Sequence, residues 1–283
     1  MIFQEILGLD PEQATERLDA AEKALRSLQL QASGSLLSVG LSPHAPYSLS
    51  EPLLLRCAEL LRRWRLPATI HLAESPEEVA YIGLGLGSIA SELLPTVGRH
   101  SPSHRVCGES PAAFLERAGL LSERLLAVHG VHVGGSDLEL LKQRGVALAM
   151  CPRSNYYLNV GTAPLSRYLA SGLRVGLGTD SLASNETLSL WDEMRFALNH
   201  YNGTVTAQQI VTMATLGGAT ALGMAGVVGS LTPGMRADLI ALAIDHLDEA
   251  NPYGSVVSQA SADKVVLSMV EGKIVYQREG AER

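Results

Sequence analysis

Apolar residues in the first two-thirds of the chain alternate between two spacings. Six short runs of β-branched or other apolar residues are typical of buried strands; they cover residues 3–8, 36–41, 68–73, 125–130, 146–151 and 174–178. The segments between them have helical periodicity. In the first such segment, one face carries Ala14, Leu18, Ala21, Leu25 and Leu28. A repeated alternation of strand and helix predicts an α/β fold with a parallel sheet.

Three pairs of polar residues have the spacing of an N-terminal helix cap, in which a side chain accepts a hydrogen bond from the first helical turn. They are Asp10 with Gln13, Ser136 with Glu139, and Thr206 with Gln209. The sequence therefore predicts that a helix begins at each of these places.

The pattern changes after about residue 205. A helical segment at 207–222 precedes a predicted strand at 237–243. Two further runs at 265–270 and 273–276 flank Glu271 and Gly272, which is a hairpin signal. We predict two domains, a strand–helix domain over residues 1–225 and a small β portion over residues 226–283.

Composition narrows the functional class. The chain has 283 residues, of which 46% are hydrophobic and 18% charged, so it is expected to fold around a core. Its 22 basic and 29 acidic residues give a net charge of −7, which does not favour a nucleic-acid partner. No apolar run approaches the ~18 residues of a membrane span, and the N-terminus carries no signal-like segment. Three widely spaced cysteines fit a reducing compartment. These features predict a cytoplasmic enzyme with no membrane or nucleic-acid partner.

Polar side chains follow five of the six predicted strands. They are His44 after the second strand, His71 and Glu74 at the third, His129 and His132 at the fourth, Arg153 and Asn155 after the fifth, and Asp180 after the sixth. Parallel α/β folds bind ligands at the carboxyl ends of their strands, so we predict one convergent site.

Each of these residues taken singly has a plainer interpretation. His71 would suit a hydrogen-bonded core histidine, Asp180 a helix cap, and Glu74 a first-turn charge beside a helix dipole. His132 is expected to face solvent. Four other histidines are expected at the surface: His100, His104, His200 and His246. The joint pattern carries the prediction.

Imidazoles and carboxylates on rigid strand ends can hold a catalytic divalent metal. Such an ion lowers the pKa of bound water to about 7. Glu74 lies three residues beyond His71 and could reach a substrate as a general acid.

These motifs resemble those of the amidohydrolase superfamily, in its branch of hydrolytic deaminases and chlorohydrolases acting on amino-heterocycles. The likeness rests on residues 42–47, 71–74, 129, 151–155, 178–185 and 229–242. It implies a (β/α)8 TIM barrel with a small β-sandwich. In that register residues 1–225 hold about six strand–helix units, barrel strands three to eight, and residues 226–283 hold a remnant of the sandwich.

The resemblance also implies roles. His71, Asp180 and His129 would hold one divalent ion, with zinc expected and iron as the alternative. Asp180 would take a proton from the attacking water, His129 would orient the hydroxide, and Glu74 would protonate the ring nitrogen. His44 would contact the substrate. The implied reaction is metal-hydroxide attack on an amidine-like ring carbon, followed by loss of ammonia.

Within this branch, the loops at 42–47 and 151–155 look most like those of deaminases of adenosine-type nucleosides, including the 6-aminodeoxyfutalosine deaminases of menaquinone synthesis. Arg153 and Asn155 are assigned to substrate binding. Arg153 could grip a substrate carboxylate with two hydrogen bonds, or it could be a surface arginine that caps helix carbonyls. Removal of a different group from a small heterocycle, such as chloride from a triazine, is the enzymatic alternative.

One family feature is missing. The family's first strand ends in His-x-His, which supplies two metal ligands, and no His-x-His occurs in this sequence. Three explanations stay open: the sequence is part of a longer protein, another chain completes the barrel, or the protein is an inactive, non-catalytic remnant. Assembly into a homo-oligomer is left open.

Overall fold

The computed structural model describes residues 1–279. It contains six strands where the sequence predicts them: β1 (Ile2–Ile6), β2 (Val39–Pro43), β3 (Ala68–Leu72), β4 (Leu125–His129), β5 (Ala147–Met150) and β6 (Arg174–Leu177). They form one sheet in the order β1-β2-β3-β4-β5-β6. The pairs β1–β2, β2–β3 and β3–β4 are parallel. The predicted α/β class is thereby confirmed.

Helices connect the strands. They are α1 (Ala14–Ala32), α2 (Glu51–Trp64), α3 (Pro76–Leu84), α4 (Leu94–Thr96), α5 (Pro111–Arg117), α6 (Gly135–Gln143), α7 (Pro152–Tyr157), α8 (Leu165–Ala170), α9 (Leu190–His200), α10 (Ala207–Thr212), α11 (Gly218–Ala221) and α12 (Pro252–Gln259). Helix α1 buries Ala14, Ala21 and Leu25, three members of the predicted apolar face. This burial of one face is the source of the 3.6-residue periodicity in the sequence.

Two of the three predicted caps are confirmed. The Asp10 carboxylate accepts hydrogen bonds from the backbone of Glu12 and the side chain of Gln13, at a short 3-10 turn that leads into α1. Thr206 and Gln209 form a reciprocal capping box at α10. The cap predicted at Ser136 is wrong. Helix α6 already begins at Gly135, so Ser136 lies inside the first turn.

The chain divides into two compact units. The first contains residues 1–148 and 160–163, and the second contains residues 149–159 and 164–283. Strand β5 crosses from one to the other. This division cuts the strand–helix region itself, so a domain boundary at residue 225 stays a prediction.

The second unit ends in a three-stranded antiparallel sheet made of β7 (Leu239–Leu242), β8 (Val265–Val270) and β9 (Lys273–Gln277). Glu271 and Gly272 both have positive φ angles, 50° and 77°, as the predicted two-residue hairpin requires. The helix predicted at 207–222 is interrupted by a π-helical turn at Met213–Gly217 between α10 and α11.

Three histidines that were expected at the surface make contacts that the sequence did not predict. His104 is buried and its ring lies 3.1 Å from the carbonyl oxygen of Ile82. His132 is half-buried and its Nε2 atom lies 2.7 Å from the carbonyl oxygen of Val160. His200 stacks on Phe196 with ring centroids 5.2 Å apart. The contacts of His104 and His132 come from segments 22 and 28 residues away, which the local pattern around each histidine does not reveal. His200 and Phe196 lie one turn apart on α9.

Within residues 1–279, no single helix has the length and apolarity to cross a membrane. Helix Pro76–Leu84 and the segment Ile89–Thr96 pass that test only as a pair bent by 77°.

Candidate functional site

Three predicted site histidines lie together in the first unit. His71 lies within β3, His129 is the last residue of β4, and His44 directly follows β2. The ring centroids of His44 and His71 are 4.9 Å apart, and those of His71 and His129 are 5.4 Å apart. Because neighbouring parallel strands end at the same edge of the sheet, their polar residues meet there.

The His71 ring is held in one orientation. Its Nδ1 atom lies 2.6 Å from the backbone carbonyl oxygen of His44. A carbonyl oxygen only accepts hydrogen bonds, so Nδ1 carries the proton and donates it. The lone pair of the neutral ring is therefore on Nε2, which is the arrangement common among metal-binding histidines.

Glu74 and His129 face each other. The Glu74 Oε1 atom lies 3.6 Å from the His129 Nε2 atom, and the His129 side chain is fully buried. His129 has a φ angle of 71°, and Ala73, directly before Glu74, has one of 48°. Residues other than glycine pay a conformational cost in this left-handed region, and such strain concentrates at functional sites.

Glu78, a fully buried residue in the first turn of α3, is a part of the site that was not predicted from the sequence. Its two carboxylate oxygens accept hydrogen bonds from the backbone N–H groups of Ala73 (2.8 Å) and Glu74 (3.0 Å). Burial raises the pKa of Glu78 to about 8, against the lowering effect of these two bonds. Glu78 thus fixes the backbone that carries Glu74. The only signal in the sequence is one more glutamate in an acidic helix start.

A cavity of about 630 Å³ opens beside His44 in the same unit. Its lining includes Asp10, Arg17, His44, Tyr47 and Arg99. Burial raises the pKa of the Tyr47 hydroxyl to about 12, so this group is a neutral hydrogen-bond donor or acceptor at physiological pH. The cavity volume is in the range typical of small-molecule sites.

In the second unit, Asp180 follows β6 with a left-handed φ angle of 59°. Two hydroxyl groups, from Ser154 and Ser184, hydrogen-bond to its Oδ2 atom at 2.7 and 2.6 Å. Both serines are buried. These contacts orient the carboxylate, and neither serine was singled out from the sequence.

Glu193 on α9 is a second buried glutamate that the sequence did not reveal as part of the site. One of its oxygens accepts from the backbone N–H of Arg153 (2.7 Å) and the other from the side-chain amide of Asn185 (3.2 Å). Burial raises the pKa of Glu193 to about 7, while these hydrogen bonds lower it.

The loop predicted at 151–155 is wrong: from Pro152 onward it is helix α7, and both predicted substrate-binding residues lie on this helix in the second unit. The Arg153 guanidinium donates to the Thr187 hydroxyl (2.9 Å) and lies 3.6 Å from the exposed Glu186 carboxylate. The Asn155 side chain is buried at the start of α7. A substrate-binding role for either residue stays a prediction.

In the first unit, His71 offers an imidazole nitrogen, Nε2, and His129 offers a second imidazole. In the second unit, Asp180 offers a carboxylate oriented by two hydroxyls. Nitrogen and carboxylate oxygen donors of this kind suit zinc or iron.

Comparison with known proteins identifies the family. Residues 4–275 match the amidohydrolase family. A 5-methylthioadenosine/S-adenosylhomocysteine deaminase of Syntrophobacter fumaroxidans is 38% identical over 251 residues, which are 86% of this chain and 52% of the relative. The chain thus spans about half the length of the curated relatives it matches.

Solved structures agree in fold. The aminofutalosine deaminase of Helicobacter pylori matches with a TM-score of 0.86 and 25% identity, over 97% of this chain and 68% of that one. A zinc-bound adenosine deaminase from Xanthomonas campestris matches with a TM-score of 0.76 and 27% identity, over 92% of this chain and 56% of that one. The predicted fold class is confirmed, and this chain belongs to the amidohydrolase family.

Proposed function

We propose that the chain carries the active-site part of a metal-dependent hydrolase that deaminates adenosine-type nucleosides. The observation that carries this proposal is the grouping of His44, His71, His129 and Glu74 at three adjacent strand ends. Clustered imidazoles with one facing carboxylate supply both ligands and a proton donor.

The proposal assigns one divalent ion, zinc in the first place, to His71, His129 and Asp180. Zinc in the Xanthomonas campestris relative supports this choice. When bound, such an ion lowers the pKa of a water ligand to about 7 and makes it a nucleophile at neutral pH.

The chain's own residues then divide the proton transfers. Asp180 accepts a proton from the attacking water. Glu74 delivers a proton to the ring nitrogen beside the attacked carbon, while His129, 3.6 Å from Glu74, orients the water. Water adds to the carbon that carries the amino group. Asp180 passes the proton it took from the water to the amino nitrogen, so that the carbon–nitrogen bond breaks and ammonia leaves. The added hydroxyl group returns a proton to Glu74 and becomes the ring carbonyl. Glu78 holds Glu74 in place throughout.

The names of the relatives point to adenosine and to adenosine-type nucleosides with a substituted 5′ position. Candidates are 5′-methylthioadenosine, S-adenosylhomocysteine and aminodeoxyfutalosine; the last of these would place the reaction in menaquinone synthesis. His44 would contact the substrate from the wall of the 630 Å³ cavity. Arg153 and Asn155 are proposed as further substrate contacts. The Arg153 guanidinium would leave the exposed Glu186 carboxylate and bind a carboxylate of the substrate instead.

The test is release of ammonia by the purified, zinc-supplemented chain with adenosine and each of the three candidate nucleosides. Deamination of at least one of them, with an inosine-type product, is expected. Inosine, which lacks the 6-amino group, is the matched negative control. A chain that retains zinc but releases no ammonia from any of the four would contradict the proposal.

A further inference from the structure

We propose that Glu193 is a positioning residue that fixes the orientation of the Asp180 carboxylate by acting through Ser154 and Ser184. The role given to Asp180 rests on the proposed function, whereas the contacts that join these residues do not depend on it.

Glu193 ties helix α7 to the segment at 179–185 that carries Asp180. Its first oxygen accepts from the backbone N–H of Arg153, directly before Ser154. Its second oxygen accepts from Asn185, directly after Ser184. Each bond therefore lies one residue from a hydroxyl that bonds to Asp180.

A third contact completes the network. The Asn185 side-chain amide also donates to the carbonyl oxygen of Thr179, at 2.7 Å. Thr179 directly precedes Asp180, so Glu193 and Asn185 together restrain the backbone on which Asp180 adopts its left-handed conformation. That restraint counters the conformational cost of a positive φ angle in a residue with a side chain.

A carboxylate suits this task better than an amide. Two N–H groups, one from helix α7 and one from Asn185, point at Glu193. Only a carboxylate offers each of them its own acceptor oxygen. Burying it is costly, and burial raises its pKa to about 7. A shape-matched apolar residue would avoid this cost but leave both donors without an acceptor.

The consequence for Asp180 concerns rotation of its carboxylate. Both serine hydroxyls bond to the same oxygen, Oδ2, so the carboxylate plane is fixed. Supporting residues of this kind change metal affinity or activity by about 10- to 100-fold when they are mutated.

The experiment is a zinc titration of the purified chain against a chromogenic chelator, with E193A, E193Q and the control D192N. Asp192 is half-buried on the same helix, pairs with Arg195 and accepts from the Thr187 hydroxyl, so D192N leaves the Glu193 bonds to Arg153 and Asn185 in place. We expect E193A to weaken zinc binding about 10- to 100-fold. E193Q should weaken it less, because Gln Oε1 keeps the bond to Arg153. D192N should stay close to wild type, and thermal denaturation should verify that each variant is folded.

A double-mutant cycle separates positioning from general destabilisation. If Glu193 acts through Ser154, the two substitutions should not act independently. The double variant E193A/S154A should then lose less zinc affinity than the product of the fold-losses of E193A and S154A alone. A loss of zinc affinity in the double variant equal to the product of the two single losses would overturn the proposal. An E193A variant that is folded and binds zinc like wild type would also overturn it.

A wild-type chain that binds no zinc would refute the proposed metal site. In that case amide hydrogen exchange tests whether Glu193 positions the segments that carry Ser154 and Asp180. E193A should speed exchange in both residues 150–157 and residues 179–187, and E193Q should speed it mainly in the latter. Exchange unchanged in E193A, or raised equally by D192N, would overturn the positioning.

Discussion

The Nδ1 atom of His71 donates a hydrogen bond to the backbone carbonyl oxygen of His44 across 2.6 Å. This contact joins the end of β2 to β3 and determines the tautomer of His71. Its Nε2 atom is consequently the basic nitrogen of the ring, which leaves this nitrogen available for the proposed metal ion. The backbone carbonyl of His44 thus sets the tautomer of the His71 side chain.

His71 can be compared with His132, which makes a similar contact to a backbone carbonyl, that of Val160. Replacing either histidine with alanine removes one such contact, but only His71 is a proposed ligand. We expect H71A to lower zinc affinity by at least about tenfold and H132A to leave it near wild type, in a chelator-competition titration. Equal effects of the two variants would argue against ligation by His71.

Glu74 is proposed to transfer a proton, so E74Q should lower kcat by about 10²- to 10⁴-fold while zinc remains bound. The adjacent helix start provides the control E77Q, because Glu77 is exposed and its loss should leave kcat within about twofold of wild type. The measurement is steady-state ammonia release with the best nucleoside. Full activity of E74Q would remove Glu74 from the mechanism.

Glu78 should make stability depend on pH. Its pKa is about 8 in the folded chain against an ordinary value of 4.5, so between these values the folded state binds more protons than the unfolded state. This stabilisation is complete below about pH 4.5 and is lost as the pH rises through 8. Urea denaturation from pH 5 to pH 8.5 should therefore show a falling free energy of unfolding.

The variant E78Q has no ionisable group at this position, so its free energy of unfolding should fall less over the same pH range. E77Q, at the exposed neighbour, should follow the wild-type curve. Parallel pH curves for E78Q and wild type would show that the Glu78 pKa is not raised by folding.

The capping box at α10 gives a prediction about stability alone. T206A removes the acceptor for the Gln209 backbone N–H and should lower the free energy of unfolding by about 1 kcal/mol. S136A, inside the first turn of α6, should change it by less than about 0.5 kcal/mol. Urea denaturation of both variants at one pH measures the difference; a larger loss for S136A would contradict it.

The sequence alone determined the strands, because burial of one face leaves a regular spacing of apolar residues. Of the three helix starts predicted from capping pairs, those at Asp10 and Thr206 are confirmed. It also placed His44, His71, Glu74, His129 and Asp180 at strand ends, since a parallel sheet brings its carboxyl ends to one edge. The hairpin at Glu271 and Gly272 followed from turn chemistry. All of these are local signals, read within a few neighbouring residues.

Only the tertiary structure decided which polar residues support the others. Glu78 and Glu193 look like ordinary charges near helix starts, yet each is buried and accepts hydrogen bonds from loop groups beside the site. Ser154 and Ser184 are 30 residues apart and meet at one oxygen of Asp180. Such partnerships depend on which loops fold against each other, and a spacing pattern along the chain carries no information about contacts at that distance.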